Sequence, residues 1–331
     1  MDKHAYEKLG PIPRRRLGTQ GVEVSAIGVG GHHLGDLPDV ETAIELVHEA
    51  IDAGITFFDN CWEYYDGKTE DWLGRALAGK RDRVFLMTKV CTHGRDGALA
   101  MRMLEESLRR LRTDHLDLWQ VHGVCFDDDP ELAYRKGGVL EALDEAKRRG
   151  LVRFVGFTGH KLPRIHLDMI TRGYPFDTVQ MPLNCFDASF RSFEQDVLPE
   201  ALRRGIAPIG MKSLGGNADM ILRGAVTHED ALRYAMSLPV LTTVAGMSSI
   251  DVLRRDLLVA RGFTPMTAME MAALRDSSAP MAADGRFELY KLSLRYDNPV
   301  ARCAHGFPPD PKQKEIEQTI DEVMGTRGTS R

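Results

Sequence analysis

The stretch VFLMTKV at positions 84–90 is a short apolar run without polar alternation, and it runs into a charged residue, Lys89. A run of this kind fits a strand covered on both faces, as in a parallel sheet. The pattern recurs on either side. Residues 55–58 run into Asp59, with Tyr64 five positions further on, and residues 116–121 run into His122. Asp59 and Lys89 are 30 positions apart and Lys89 and His122 are 33 apart, each about one strand-plus-helix unit. Right-handed βα units set every strand's carboxyl end on one face, so an acid, a phenol, an amine and an imidazole are expected to converge there.

Working outward, apolar runs fall at 26–30, 55–58, 84–88, 116–121, 152–157, 178–181, 206–211 and 241–245. Helical stretches alternate with them at 40–53, 69–77, 98–111, 138–149, 162–172, 189–204, 229–238 and 249–260. Several close on a charge-Gly pair, such as Arg149-Gly150 and Arg204-Gly205, an expected helix stop. Eight runs and eight helices predict an α/β fold, a closed (β/α)8 TIM barrel. An open doubly wound sheet is the alternative, because counting does not prove closure. Residues 15–18 and 22–25 flank Thr19-Gln20-Gly21 and predict an N-terminal β-hairpin. The barrel is expected over 14–262 and a C-terminal helical and irregular extension over 263–331, packing on or near the barrel mouth. Within that extension the pattern predicts a helix over 264–275, an irregular stretch over 276–312, and a short amphipathic helix over 314–324 carrying Ile316, Ile320 and Val323. The tail is either a wrap over the mouth or an interaction arm.

The 331 residues, 43% hydrophobic and 27% charged, belong to a soluble globular protein. A net charge of −5 gives no reason to expect nucleic-acid or anionic-membrane partners. The five cysteines are dispersed without CxxC or zinc spacing, which argues for a reducing compartment and against a metal site. No apolar stretch reaches the roughly 18 residues of a membrane span, and the N-terminus has no signal-peptide core. A cytoplasmic location is expected.

A lysine beside a tyrosine is expected to lower the phenol pKa, with a carboxylate holding the lysine in place. Tyr64 then acts as general acid towards a carbonyl oxygen that His122 orients. Tyr65 follows Tyr64 directly, so the choice of acid rests on the spacing from Asp59. His32, after Gly30-Gly31, and Trp62 are candidate walls of a substrate pocket. Glu63 reads as a loop residue, and Asp127-Asp128-Asp129 as a solvated loop.

FFDNCWEYYDG around Asp59, FLMTKV around Lys89 and LDLWQVHG around His122 resemble the three catalytic segments of the aldo-keto reductases. RRRLGTQGVEVSAIGVGG near the start is similar to that family's hairpin and first strand. The resemblance covers roughly residues 14–262. It implies a (β/α)8 barrel, a nicotinamide cofactor and hydride transfer to an aldehyde or ketone without metal. It gives Tyr64 the role of proton donor, Lys89 and Asp59 that of its activators, and His122 that of the orienting imidazole. It also implies cofactor contacts at Gly31, Asp59, Thr158, Gly159, Gln180, Met211, Lys212, Ser213, Leu214, Gly246, Met247, Ser248, Arg255 and Asp256. Three of these depart from the family pattern. Met211 stands where many relatives stack an aromatic ring, Gly159 where they carry an amide, and Gly246 where NADP-preferring members often carry Lys. Val252 likewise stands where such members often carry Arg, so Arg255 is expected to supply the cation and NADP(H) is expected over NAD(H). The substrate is expected to be a small carbonyl or alcohol. Two other classes stay open: a nucleotide-binding regulatory subunit with this fold, and a barrel aldolase or isomerase.

Overall fold

The computed structural model describes residues 4–18, 21–297 and 305–306. The expected helix over 314–324, Thr19, Gln20 and Cys303 lie outside the described residues.

An antiparallel hairpin, β1 (Arg14–Leu17) and β2 (Val22–Ser25), precedes eight parallel strands. These are β3 (Ile27–Gly30), β4 (Phe57–Asp59), β5 (Phe85–Val90), β6 (Leu116–Val121), β7 (Val152–Thr158), β8 (Thr178–Pro182), β9 (Ala207–Met211) and β10 (Thr242–Gly246). They pair in sequence order, and β10 pairs with both β9 and β3, so the sheet closes into a barrel. The open-sheet alternative falls on that closure.

Side chains alternate between two cores, as the period of a strand requires. Phe57, Phe85, Leu118 and Phe154 point into the barrel, where the Phe57 and Phe85 rings stack 5.3 Å apart. Leu17 and Val24 of the hairpin join this inner cluster and plug the amino end of the barrel. Phe58, Leu86, Trp119 and Val155 point outward and pack with the surrounding helices. Inward positions near the carboxyl ends of five strands are then polar: Asp59, Lys89, Gln120, Thr158 and Gln180, all buried. Parity carries these groups to one layer at the open end.

Helix starts are fixed by side-chain caps, Asp39 on Thr42, Asp96 on Leu99 and Ser249 on Val252. Helix ends follow the charge-Gly signal, with Gly150 at φ 72° and Gly205 at φ 74°.

Two expectations need correction. Asp127 and Asp128 are exposed in a turn, as expected, but Asp129 opens a helix, Asp129–Tyr134, and is buried because it pairs with the buried Arg95. The helix expected to stop at 275 runs over Ala268–Ala282, through Pro280. Its extra turns are tied down by Ser278, whose hydroxyl is 2.8 Å from the Leu274 carbonyl and 3.3 Å from that of Cys185 after β8.

Beyond it, a short helix (Leu289–Leu292) and a 3-10 turn (Leu294–Tyr296) lie against the loops at the carboxyl ends of β7, β8 and β9. Lys291 is buried and donates to Asp187, Glu288 and the Phe190 carbonyl at 2.6, 3.0 and 2.7 Å. Lys161 donates to Asp297 and to the Ser293 carbonyl. His160 Nδ1 donates to the Tyr290 carbonyl at 3.0 Å.

Candidate active site

Asp59 and Lys89 form a buried ion pair between the ends of β4 and β5. The Lys89 ammonium also donates to the Asn60 carbonyl at 2.9 Å and lies 3.4 Å from the Tyr64 hydroxyl. Gln180 Nε2 donates to the second Asp59 oxygen at 2.8 Å. The Tyr64 ring meets the His122 ring edge-on at 5.8 Å and the His32 ring at 5.1 Å. Asp59, Tyr64, Lys89, His122 and His32 are therefore together at the mouth. Tyr65 turns away, its hydroxyl donating to Asp36. The two tyrosines, adjacent in sequence, are separated by geometry: only Tyr64 has its hydroxyl beside Lys89.

The electrostatics of Tyr64 overturn the expected sign. Its phenol is pushed well above the ordinary value, first by loss of hydration and then by Cys61, Asp59 and Glu63 around it. The Lys89 ammonium, 3.4 Å away, does not outweigh these contributions. Tyr64 thus holds its proton through the neutral range, the state a general acid needs.

Two residues at this site carry no sequence signal for their roles. Glu63 Oε1 lies 2.5 Å from His122 Nδ1, which is also 3.2 Å from the Cys61 thiol. Arg95, fully buried, pairs with Asp129 at 2.9 Å and donates to the His122 and Gly123 carbonyls, each at 2.7 Å. It fixes the backbone that carries His122. Nothing in the spacing links 63 to 122 or 95 to 129; only a contact map would.

Trp62 is turned towards a helix outside the barrel. Its indole donates to Glu106 at 2.9 Å, and the Arg110 guanidinium lies 5.2 Å from the ring, both on the helix Gly97–Leu111.

The proposed cofactor contacts divide into two groups. Thr158 and Met211 face each other, hydroxyl to thioether at 3.9 Å, and the buried Gln180 Oε1 has no hydrogen-bond partner among the described residues. Lys212 sits at φ 55°, its ammonium 5.1 and 5.5 Å from the Tyr290 and Tyr296 rings. Its pKa is lowered to about 8, chiefly by loss of hydration. Ser213 is buried beside it, Leu214 packs partly buried on the outer core, and Ser248 is exposed at the start of the helix Ile250–Arg261.

Other positions are taken up by the protein itself. A Cβ on Gly31 would lie 2.4 Å from the Asp59 carbonyl, and one on Gly159 would lie 2.1 Å from that of Val124. No amide side chain fits at 159. A Cβ on Gly246 would lie 2.0 Å from the His33 ring, so glycine there makes room for a histidine. Met247 is buried in the outer core. Asp256 is buried and bonded to His228 at 2.6 Å, which turns its carboxylate inward rather than towards an adenine. Arg254 is held by Glu49 at 2.8 and 2.9 Å, whereas Arg255 is exposed.

Among the described residues, two groups bring three possible metal donors within 4.8 Å: Cys61, Glu63 and His122, and Cys125, His160 and Asp297. In the first, the 2.5 Å oxygen–nitrogen separation is that of a hydrogen bond, since two ligands of one tetrahedral metal stand about 3.3 Å apart. In the second, Lys161 already neutralises Asp297. Neither donor set calls for a metal to balance it.

The sequence model described as the aldo/keto reductase family matches residues 26–220. The chain belongs to that family. Aldo-keto reductase YhdN of Bacillus subtilis is 32% identical to this aldo/keto reductase over 227 residues, 64% of each protein. The chain thus spans 64% of the length of YhdN. A 6-dehydroglucose reductase of Novosphingobium aromaticivorans is 30% identical over 223 residues, 62% of this chain and 71% of that protein. Among solved structures, the holo form of an aldo-keto reductase from Bacillus halodurans superposes with a TM-score of 0.68 at 25% identity, covering 80% of this chain and 96% of that one. No helix among the described residues is long and apolar enough to cross a membrane.

Proposed function

We propose that this aldo/keto reductase is an NAD(P)(H)-dependent oxidoreductase acting on a small carbonyl or alcohol, with Tyr64 as its general acid and base. The observation that carries this reading is the Tyr64 hydroxyl 3.4 Å from a Lys89 ammonium that is itself locked to Asp59, at the open end of a closed barrel. Thr158, Gln180 and Met211 would hold the nicotinamide. The unpartnered Gln180 Oε1 is the kind of acceptor a carboxamide N–H₂ satisfies. Lys212 and Ser213 would face the phosphates, and Arg255 would favour NADP(H) over NAD(H). The bound nicotinamide supplies a hydride, which is chemistry no protein side chain offers.

The residues do the remainder. His122 and Tyr64 aim at the oxygen of a carbonyl lodged above Lys89. As that oxygen gains charge, Tyr64 donates its proton, and the Lys89 ammonium stabilises the phenolate left behind. His32 and the segment carrying Tyr290 and Tyr296 would form the walls that select substrate.

The test is a fluorescence titration with NADPH and NADH, followed by turnover of a simple aldehyde. Binding with turnover, and a Tyr64→Phe enzyme that binds nucleotide but is slowed by orders of magnitude, supports the reading. Binding without turnover points instead to a regulatory subunit. No nucleotide binding at all sinks the proposal.

A further inference from the structure

Three of the lysines at the barrel mouth are matched by carboxylates: Lys89 by Asp59, Lys161 by Asp297, and Lys291 by Asp187 and Glu288. The partly buried Lys212, just past the end of β9, makes no ion pair and no side-chain hydrogen bond among the described residues. Its ammonium lies instead 5.1 and 5.5 Å from the centres of the Tyr290 and Tyr296 rings, which stand nearly perpendicular to one another. Asn184 fixes this clasp, donating to the Lys212 carbonyl at 3.3 Å and to the Tyr290 hydroxyl at 3.0 Å. Aromatic faces attract a cation but leave its three N–H groups without oxygen acceptors.

The groups that feel this charge show where it points. The His32 pKa is lowered to about 4, first by loss of hydration and then by His33, with Lys212 and then Lys89 adding to it. That of His160 is lowered well below the ordinary value by loss of hydration and then by Lys212. His32 follows β3 and His160 follows β7, and these strands stand opposite each other in the ring of eight. A side chain rooted at β9 and felt on both sides reaches in over the barrel axis, where Lys89 and Asp59 also act on it. Its neighbours do not cancel it. Asp59 and Asp297 already hold Lys89 and Lys161, and the Cys125 thiol is pushed up by burial and stays neutral. Loss of hydration lowers the Lys212 pKa only to about 8, so the ammonium is charged at neutral pH.

We propose that Lys212, clasped by Tyr290 and Tyr296, binds an oxyanion carried by the substrate, so that the enzyme selects carbonyl compounds bearing a carboxylate or phosphate over neutral ones. This rests on the carbonyl-reductase reading above. That reading also sets Lys212 near the nucleotide phosphates, a second source of the same chemistry. The two sources differ in what they discriminate: a phosphate contact acts on every substrate alike, whereas a substrate contact acts only on charged ones.

The test is kcat/KM at pH 7 and saturating nucleotide for ω-oxo acids of two to five carbons, each against the n-alkanal of matched length. Wild type should favour the acid at one length or more by about tenfold, the size of one charged hydrogen bond. In Lys212→Met that ratio should fall to about one, whatever the change does to both rates together, and Lys212→Arg should keep part of it. Lys212→Met breaks no ion pair, so the variant should fold. A wild type with no preference for the acid at any length overturns the proposal. So does a Lys212→Met enzyme whose nucleotide affinity falls while its acid-to-alkanal ratio stays, since Lys212 then serves the nucleotide alone. Absence of turnover with every substrate would count against the reductase reading. Calorimetric titration of 4-oxobutanoate then decides the proposal by itself: binding that Lys212→Met weakens about tenfold supports it, and no binding, or equal binding to both proteins, overturns it.

Discussion

Arg95 and Asp129 form an ion pair of 2.9 Å between two side chains that are both sealed from solvent, 34 positions apart. Asp129 also accepts from the Cys125 and Phe126 amides, each at 2.8 Å. One buried pair therefore organises the whole loop after β6. Arg95→Ala should cost about 3–5 kcal/mol, because Asp129 is left charged and unmatched. Urea denaturation checks this, and the double variant Arg95→Met/Asp129→Leu should be less destabilised than the single one. A single variant within about 1 kcal/mol of wild type would contradict the argument.

Lys212 should oppose folding while serving binding. Its folded pKa of about 8 lies below the ordinary 10.5, so between these values the unfolded chain binds more protons and Lys212's contribution to stability rises with pH. Below pH 8 the fold bears the full cost of the enclosed ammonium. Lys212→Met should therefore be more stable than wild type at pH 7, by about 2 kcal/mol after allowance for partial exposure and lost ring contacts. That gap should close as pH rises from 8 to 10.5. Nucleotide affinity should fall in the same variant. Denaturation of both proteins at pH 7 and pH 10 measures the first effect, and titration the second.

Gly246 and His33 should behave as a coupled pair. Gly246→Lys alone drives its Cβ into the His33 ring and should weaken both nucleotides and the fold, typically by about 1–3 kcal/mol for overpacking. Adding His33→Ala should relieve the clash and raise the NADPH/NADH affinity ratio about tenfold, the effect of one added cation. Independent, additive effects of the two changes would show that the contact has no bearing on the cofactor groove.

Arg255 is exposed, whereas its neighbour Arg254 is clamped by Glu49. Arg255→Ala should lower NADPH affinity roughly tenfold to a hundredfold, about 1.5–3 kcal/mol, and leave NADH unchanged. Arg254→Ala should instead lower stability and spare the ratio. An unchanged NADPH/NADH ratio in Arg255→Ala would remove the assignment.

The barrel was legible because a strand advertises itself locally. Residues 84–88 or 116–121 read as buried strands without knowledge of anything else, and parity along them already names Lys89 and Gln120 as inward. Closure was not local: it depends on β10 meeting β3 across most of the chain. At the site, Asp59, Tyr64, Lys89 and His122 could be found because each follows a strand at a fixed offset. Glu63 and Arg95 could not, since they matter through partners 59 and 34 positions away. The ionisation of Tyr64 was misjudged for a related reason. Adjacency to lysine is visible in spacing, but loss of hydration and the company of two carboxylates are properties of the packed site. Asp129 looked solvated because three aspartates in a row usually are, and only the buried Arg95 reverses that.

The bonds that Lys161 donates to Asp297 and that Lys291 donates to Asp187 join residues 136 and 104 positions apart. On a translating ribosome, the later partner of Lys161 emerges on the order of ten seconds after it. Through that interval the rim of the nascent barrel carries an unmatched lysine and an unmatched aspartate that water must solvate. The charges of Lys161 and Asp187 are therefore matched only after Lys291 and Asp297 have arrived. By then every barrel strand, the last ending at Gly246, has been made, so the rim is completed later than the barrel that carries it.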